Sequence, residues 1–132
     1  MRRLHLAVAL TLSFGLLLGT GSAFAARDGG GSSASGAIDA KTFDVLTKAQ
    51  ELTEKGKFGE AIAKLDSIKN SSKVNKNSYA KSQMWNFYAY IYASQERFKQ
   101  AIGAYKQVIA EKDAPDGLKL QAKYTIAQMY FQ

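Results

Sequence analysis

The stretch FKQAIGAYKQV, residues 98–108, follows the pattern of an earlier one, FGEAIAKLDSI, residues 58–68, which lies forty positions before it. In both segments apolar residues recur at positions i, i+3, i+4, i+7 and i+10, a spacing that places them on one face of an α-helix. The matching residues are Phe58, Ala61, Ile62, Leu65 and Ile68 in the first segment and Phe98, Ala101, Ile102, Tyr105 and Val108 in the second. The chain therefore contains an internal repeat with a helical pattern.

A second segment recurs at the same offset, upstream of the first. Its equivalent positions are Val45, Ala49 and Leu52 in one copy and Trp85, Ala89 and Tyr92 in the next. A third copy begins 38 residues further on, where Ala127 and Tyr130 repeat Ala89 and Tyr92. Two segments that recur at one shared offset indicate a repeated pair of helices.

The aromatic run WNFYAYIY, residues 85–92, has three interpretations: a half-buried strand, a helix, or a platform on which a ligand stacks. Four of its residues are spaced i, i+3, i+4 and i+7 and form one helical stripe. They are Trp85, Tyr88, Ala89 and Tyr92. A strand would contradict the helical pattern of the equivalent segment at Val45–Leu52, and no turn signals bracket a strand of this length. We therefore predict a helix.

Five helices are predicted from these patterns and from the residues at their boundaries. The first begins at Asp39, a plausible N-cap residue, and ends at Gly56, a residue common just after helix C-termini. The last begins at Pro115, which the first turn of a helix accepts. The predicted helices span about 39–55, 58–69, 78–94, 97–111 and 115–132, with a polar loop over 70–78.

The second copy, from Trp85 to Tyr105, resembles the helix-turn-helix signature of the tetratricopeptide repeat (TPR). The resemblance implies an all-α fold, an α-solenoid of TPR-type antiparallel helix pairs with about two and a half repeats. These repeats form one domain, residues 38–132. They cover about 40–70 and 78–112, followed by a half repeat over 115–132.

The resemblance also implies which residues pack within the repeats. The small residues Ala89 and Ala101 belong where paired helices approach most closely. The first copy departs from the signature at Val45 and Lys48, and Glu96 stands in the inter-helix turn where glycine is common. The packing positions are Val45, Ala49, Leu52, Phe58, Ala61, Leu65, Trp85, Tyr88, Ala89, Tyr92, Phe98, Ala101, Tyr105, Ala127 and Tyr130.

In the repeats that this chain resembles, the first helix of each pair lines a concave groove that takes a protein or an extended peptide. The candidate contacts on this chain are Leu46, Gln50, Gln83, Asn86, Phe87, Tyr90 and Ser94. For Phe87 and Tyr90 the competing interpretation is packing between repeats. Some members hold a partner's terminal carboxylate with Lys, Arg and Asn. This chain has Leu46, Gln50, Phe87, Gln121 and Thr125 at those places, so we do not expect an anionic peptide terminus as ligand.

The predicted last helix has two apolar rows. One row is Leu120, Tyr124, Ala127 and Phe131, and the other is Leu118, Ala122, Ile126 and Met129. One row can pack on the preceding helix, and the other then faces water, whereas a natural terminal repeat has a polar outer face. We therefore expect a truncated array that continues with further repeats in the intact protein, and self-association through the unpaired last helix.

The first 25 residues have the layout of a secretory signal peptide. Arg2 and Arg3 precede an uncharged apolar run, Leu6–Leu18, and Ala23-Phe24-Ala25 offers a small-x-small cleavage site. An uncleaved membrane anchor is the alternative, but such an anchor needs about 20 apolar residues. We expect cleavage near Ala25, followed by a flexible Gly/Ser linker over residues 26–37.

The composition excludes several kinds of chemistry. The chain has no cysteine, and its one histidine, His5, lies in the predicted signal peptide. Nucleophilic Cys or His, a His general base and the usual zinc or copper sites are therefore not expected, and we predict no enzyme, no cofactor and no metal. The net charge of +7 falls to +5 without Arg2 and Arg3. The lysines are scattered singly, so we predict no nucleic acid partner.

The expected function is that of a periplasmic scaffold or adaptor for protein–protein interaction. The general pattern resembles exported repeat proteins associated with the TonB energy-coupling system of Gram-negative bacteria, which implies a role in TonB-dependent transport. Exported repeat proteins that act in cell-wall synthesis and envelope constriction, or in outer-membrane assembly, are the alternatives.

Overall fold

A computed structural model describes residues 38–132. The predicted signal peptide (1–25) and linker (26–37) lie outside these residues. The described part is all α-helical and has no strand, which confirms the predicted fold class of an all-α helical repeat domain. Its helices are α1 (Ala40–Glu54), α2 (Phe58–Lys69), α3 (Ser72–Asn75), α4 (Ser78–Ser94), α5 (Phe98–Ala110) and α6 (Asp116–Tyr130).

Side-chain caps begin two of the long helices. The carboxylate of Asp39 accepts hydrogen bonds from the Thr42 backbone N–H at 3.3 Å and from the Thr42 hydroxyl at 2.6 Å. The hydroxyl bond is the main cause of a pKa of Asp39 below its ordinary value. Asn77 caps α4 by accepting from the Ala80 backbone N–H at 2.9 Å. Each cap satisfies a backbone donor that has no partner within the helix.

The turns after α1 and α4 have the same geometry. Gly56 has a φ of 72° and Glu96 a φ of 57°, both in the left-handed region. The next backbone N–H in each turn bonds back to the helix, from Lys57 to the Leu52 carbonyl at 2.8 Å and from Arg97 to the Tyr92 carbonyl at 2.9 Å. This is the Schellman pattern of helix termination. It turns the chain sharply enough for α2 to pack on α1 and for α5 to pack on α4.

The helices pack as two pairs and a following helix. Helix α1 pairs with α2, α4 pairs with α5, α6 packs on α5, and α4 also lies against α1 and α2. Packing residues from both repeats are buried: Ala49, Leu52, Ala61, Leu65, Tyr88, Ala89, Ala101 and Tyr105. Others are half-buried: Val45, Phe58, Trp85, Tyr92 and Phe98. The helix faces that the repeat pattern predicts to be apolar therefore form the core.

Polar contacts fix the loop between α5 and α6 to the start of α4. The Ser78 hydroxyl donates to Glu111 Oε2 at 2.9 Å and accepts from the Asp113 backbone N–H at 3.1 Å. Lys81 Nζ lies 3.4 Å from Glu111 Oε1. Because the partners in each contact are thirty or more residues apart in sequence, these contacts tie the second helix pair together at one end.

The prediction of a polar loop over 70–78 was wrong in part, because this segment contains α3. Val74 is its one apolar residue and is fully buried. Helix α3 packs against α2 and α4, and burial of this side chain explains why a one-turn helix forms in a polar segment. At the other end of the chain, the predicted helix ran to residue 132, and α6 ends at Tyr130, two residues before that.

Two predicted packing residues, Ala127 and Tyr130, are exposed instead. Their equivalents in α4, Ala89 and Tyr92, belong to the helix that packs on α5. Within residues 38–132 no helix follows α6, so no such partner covers this face.

Candidate binding surface

The candidate contacts lie on α1 and α4, the first helices of the two pairs, which are neighbours in the structure. Gln50, Gln83, Asn86 and Tyr90 are half-buried, and Ser94 is exposed. Their side chains therefore present part of their surface to solvent on helices that are held in place by a packed core. A contact role for these five residues stays a prediction.

Leu46 and Phe87 differ from the other five candidates because they are buried. Their side chains are only 1% and 2% exposed. Both residues are apolar, so burial removes apolar surface from water. A contact role for Leu46 and Phe87 stays a prediction, and for Phe87 so does the competing interpretation of packing between repeats.

Some polar groups of this surface are hydrogen-bonded within the domain and others are not. Gln50 Nε2 donates to Glu54 Oε1 at 2.8 Å, and the Ser94 hydroxyl donates to the Tyr90 carbonyl at 2.9 Å. The amides of Gln83 and Asn86 have no hydrogen-bond partner within the described residues. Each amide supplies two donors and one acceptor, the complement of a peptide unit. Two half-buried amides on α4 are therefore available to a partner.

Three side chains of α6 lie at positions equivalent to candidate contacts of α4 but were not among the predicted contacts. At the offset of 38 residues, Gln121, Tyr124 and Gln128 correspond to Gln83, Asn86 and Tyr90. All three α6 side chains are exposed. The repeat offset alone was sufficient to find them.

A different face of α4 has an aromatic ladder that is occupied by its own neighbours. The ring centroids of Trp85 and Tyr88 are 5.3 Å apart, and those of Tyr88 and Tyr92 are 6.2 Å apart. Lys69 Nζ lies 5.3 Å from the centroid of Trp85, and the Arg97 guanidinium lies 4.8 Å from that of Tyr92. Cation–π contacts of this kind stabilise the packing of α4 against its neighbours.

The ladder is fixed to α2 by one short hydrogen bond. The Tyr88 hydroxyl donates to Asp66 Oδ1 at 2.5 Å. Burial raises the pKa of Tyr88, and the bond to Asp66 raises it further, so the phenol stays protonated and remains a donor. These contacts show that Trp85, Tyr88 and Tyr92 serve packing, and the interpretation of a ligand-stacking platform does not apply to them.

Two other kinds of feature are absent from the part of the chain that the structure describes. Over residues 38–132 there is no group of three or more metal-ligating side chains that could hold an ion. None of the helices in that range has the length and apolar character that a membrane span requires.

Comparison with known proteins gives one match. Residues 47–132 match the model of the RNPP family C-terminal domain, which supports a TPR-like helical repeat. Neither the search of curated proteins nor the search of solved structures found a match. Because the matched residues make up well over half of the chain, the chain belongs to the RNPP family through this C-terminal domain, a helical domain of protein–protein or peptide interaction.

Proposed function

We propose that this domain binds an extended peptide, or an extended segment of a protein, at the surface formed by α1 and α4. The observation that carries the proposal is the pair of half-buried amides, Gln83 and Asn86, which have no hydrogen-bond partner within residues 38–132. Tyr90 and Ser94 continue the same surface toward the end of α4. Membership of the RNPP family supports a peptide or protein as the partner.

Side-chain amides suit this ligand because an extended peptide carries unpaired backbone N–H and C=O groups. Each neutral hydrogen bond contributes about 0.5–1.5 kcal/mol net to the binding free energy. Its loss costs more when a desolvated donor or acceptor is left without a partner. The amides sit on α4, which packs against three other long helices, so little conformational freedom remains to be lost when a peptide binds.

The charges of the surface favour the interior of a peptide over its terminus. None of the five candidate side chains, Gln50, Gln83, Asn86, Tyr90 and Ser94, is charged. A site for a terminal carboxylate uses Lys or Arg for charge-assisted bonds. We therefore propose recognition through neutral hydrogen bonds along the peptide.

A displayed library of random peptides, selected on the full chain, tests this proposal. We expect enriched peptides whose affinity falls about tenfold in Asn86→Ala and in Gln83→Ala, since a lost bond at a desolvated site costs about 1.4 kcal/mol. Gln107→Ala, at an exposed position of α5, is the matched control and leaves the affinity unchanged. Absence of enriched peptides, or equal losses in all three variants, would overturn the proposal.

We further propose that the protein acts after export to the periplasm. The support is the leader-like sequence, with Arg2 and Arg3 before the apolar run Leu6–Leu18. Mass spectrometry of the protein from a periplasmic extract should find a mature chain that begins near Ala26. A cytoplasmic chain that still begins at Met1 would contradict export.

We propose, more specifically, that the exported protein acts in TonB-dependent transport. This proposal rests on the resemblance to exported TonB-associated repeat proteins. A strain that lacks the protein should then grow poorly when iron is supplied only as a chelate. Normal growth there, with a defect in cell-wall synthesis or division instead, would favour the alternative role in the envelope.

A further inference from the structure

The surface proposed to bind a peptide has a pattern that repeats across its two helices. At the offset of 40 residues, Gln83 of α4 is equivalent to Phe43 of α1, and Tyr90 is equivalent to Gln50. Phe43 is 39% exposed, and the other three side chains are half-buried. We call Phe43 and Gln83 the first row, and Gln50 and Tyr90 the second row. Each row therefore combines an aromatic ring on one helix with a side-chain amide on the other.

The two members of a row are separated by the distance between neighbouring helices. Helix α4 lies against α1, and the axes of packed helices are about 8–10 Å apart. Within each helix the two rows are two turns apart, or about 10.5 Å along the axis. A peptide that follows one row therefore meets the second helix about 8–10 Å after the first.

That spacing matches the repeat of a polyproline II helix, in which one turn of three residues covers about 9 Å. Residues one turn apart share a face, so the same face of such a peptide meets α1 and then α4. A β-strand does not match in this way, because its side chains alternate between two faces. Residues on the same face of a strand are about 7 or 13 Å apart, and neither distance fits the helix spacing.

The side chains of the rows suit the two kinds of group that a proline-rich chain presents. Proline has no backbone N–H, and a polyproline II helix makes no internal hydrogen bonds, so its carbonyls need donors. A side-chain amide has two N–H donors. Gln50 uses one of them for Glu54, and Asn86 adds a further amide between the two rows on α4. The aromatic rings offer the flat apolar surface on which proline rings pack.

The ring of Tyr90 is held in position by its neighbour on α5. Burial raises the pKa of Tyr105, and the phenol of Tyr90 raises it further, which places the two phenols near each other. Tyr90 nevertheless keeps part of its surface in solvent. A ring fixed in this way loses little conformational freedom when a ligand packs on it.

We infer that the surface of α1 and α4 takes a proline-rich segment in the polyproline II conformation. A proline packs on the aromatic ring of a row, and a carbonyl about one turn away accepts a hydrogen bond from the amide of that row. The inference rests on the proposed function, because it names the class of peptide that this surface binds. None of the four row side chains is charged, so the ligand needs no charged residue.

Substitution of the rings tests the contact. Tyr90→Leu and Phe43→Leu each remove a ring but keep apolar bulk. The variant in the row that the peptide follows should weaken binding of a proline-rich peptide about three- to tenfold. Tyr90→Phe keeps the ring and should leave the affinity unchanged, as should Tyr130→Leu, the matched control at an exposed tyrosine of α6. Unchanged affinity in both ring variants would overturn the inference, and Phe43→Leu keeps the test valid if Tyr90→Leu does not fold.

Two synthetic peptides, titrated onto the full chain, separate this inference from the proposed function. Both are capped at their ends; one has proline at every third position between alanine and serine, and the other has valine in place of each proline. By fluorescence anisotropy, we expect the proline peptide to bind at least about tenfold more tightly. Equal or tighter binding of the valine peptide would overturn the inference and leave the proposed function standing. Binding of neither peptide would also overturn it, and the proposed function fails as well only if the random library yields no peptide.

Discussion

At the level of single residues, Glu96 stands in the left-handed conformation that Gly56 adopts at the equivalent place in the first repeat. Both turns make the same backbone hydrogen bonds. A side chain in this conformation costs about 1 kcal/mol relative to glycine, because its Cβ approaches the following carbonyl. The second turn is therefore strained where the first is not.

Glu96→Gly should raise the free energy of unfolding by about 0.5–1 kcal/mol. The gain is smaller than the full strain energy because glycine also increases the conformational entropy of the unfolded chain. Denaturant titration measures the change in the free energy of unfolding. The reciprocal change, Gly56→Ala, should lower stability by about 1 kcal/mol. A Cβ at Gly56 would meet nothing within 4 Å, so that loss reports backbone conformation alone. Destabilisation by Glu96→Gly would show that the glutamate makes a compensating contact.

Tyr88→Phe should lower the free energy of unfolding by about 1–2 kcal/mol, because it removes a hydrogen bond to a carboxylate. Asp66 is exposed, which keeps the loss at the lower end for such bonds. Tyr92→Phe is the matched control on the same ladder and should change stability by less than about 0.5 kcal/mol. A double-mutant cycle with Asp66→Ala would refute the assignment if the two losses simply added.

Tyr105 should make the fold sensitive to alkaline pH. Burial raises the pKa of Tyr105 to about 12, while an unfolded tyrosine ionises near pH 10. The stability contribution is therefore complete below pH 10 and is lost as the pH rises toward 12. Relative to Tyr105→Phe, the wild-type chain should lose about 1.3 kcal/mol between pH 9 and pH 11. Parallel pH profiles of the two chains would contradict this.

At the level of helices, the pairing of α4 with α5 depends on two small residues. Ala89 in α4 and Ala101 in α5 are both fully buried. Ala89→Leu should lower the free energy of unfolding by about 1–3 kcal/mol, because the core has no room for three more carbons. Ala63→Leu, exposed on α2, should change it by less than about 0.5 kcal/mol. Thermal or denaturant unfolding that ranks the two variants equally would contradict close packing here.

The five long helices could be predicted because each carries its own periodicity and boundary residues. Asp39 and Gly56 mark the ends of α1 in the sequence as they do in the structure. Helix α3 could not be predicted this way. One apolar residue, Val74, gives no period, and its burial comes from contact with α2 and α4.

The candidate surface was predictable only in part, for the same reason. The repeat register placed Gln83 and Asn86 on the first helix of a pair, where the structure has them half-buried. Periodicity identifies one face of a helix, but it does not say which neighbouring helix covers another face. The pattern therefore gave no sign that Leu46 and Phe87, which it also placed among the candidate contacts, are buried.

For the whole molecule, the candidate surface on α1 and α4 is neutral and polar, and it lies on helices that a packed core holds in place.

Site-specific photo-crosslinking tests whether a peptide lies on α1 and α4. A benzophenone amino acid would replace Ser94 on the proposed surface, or Gln107 on α5 as control, in the presence of a peptide selected on the full chain. We predict crosslinks from position 94 and none from position 107. Equal crosslinking from the two positions, or none from position 94, would show that the peptide does not lie on this surface.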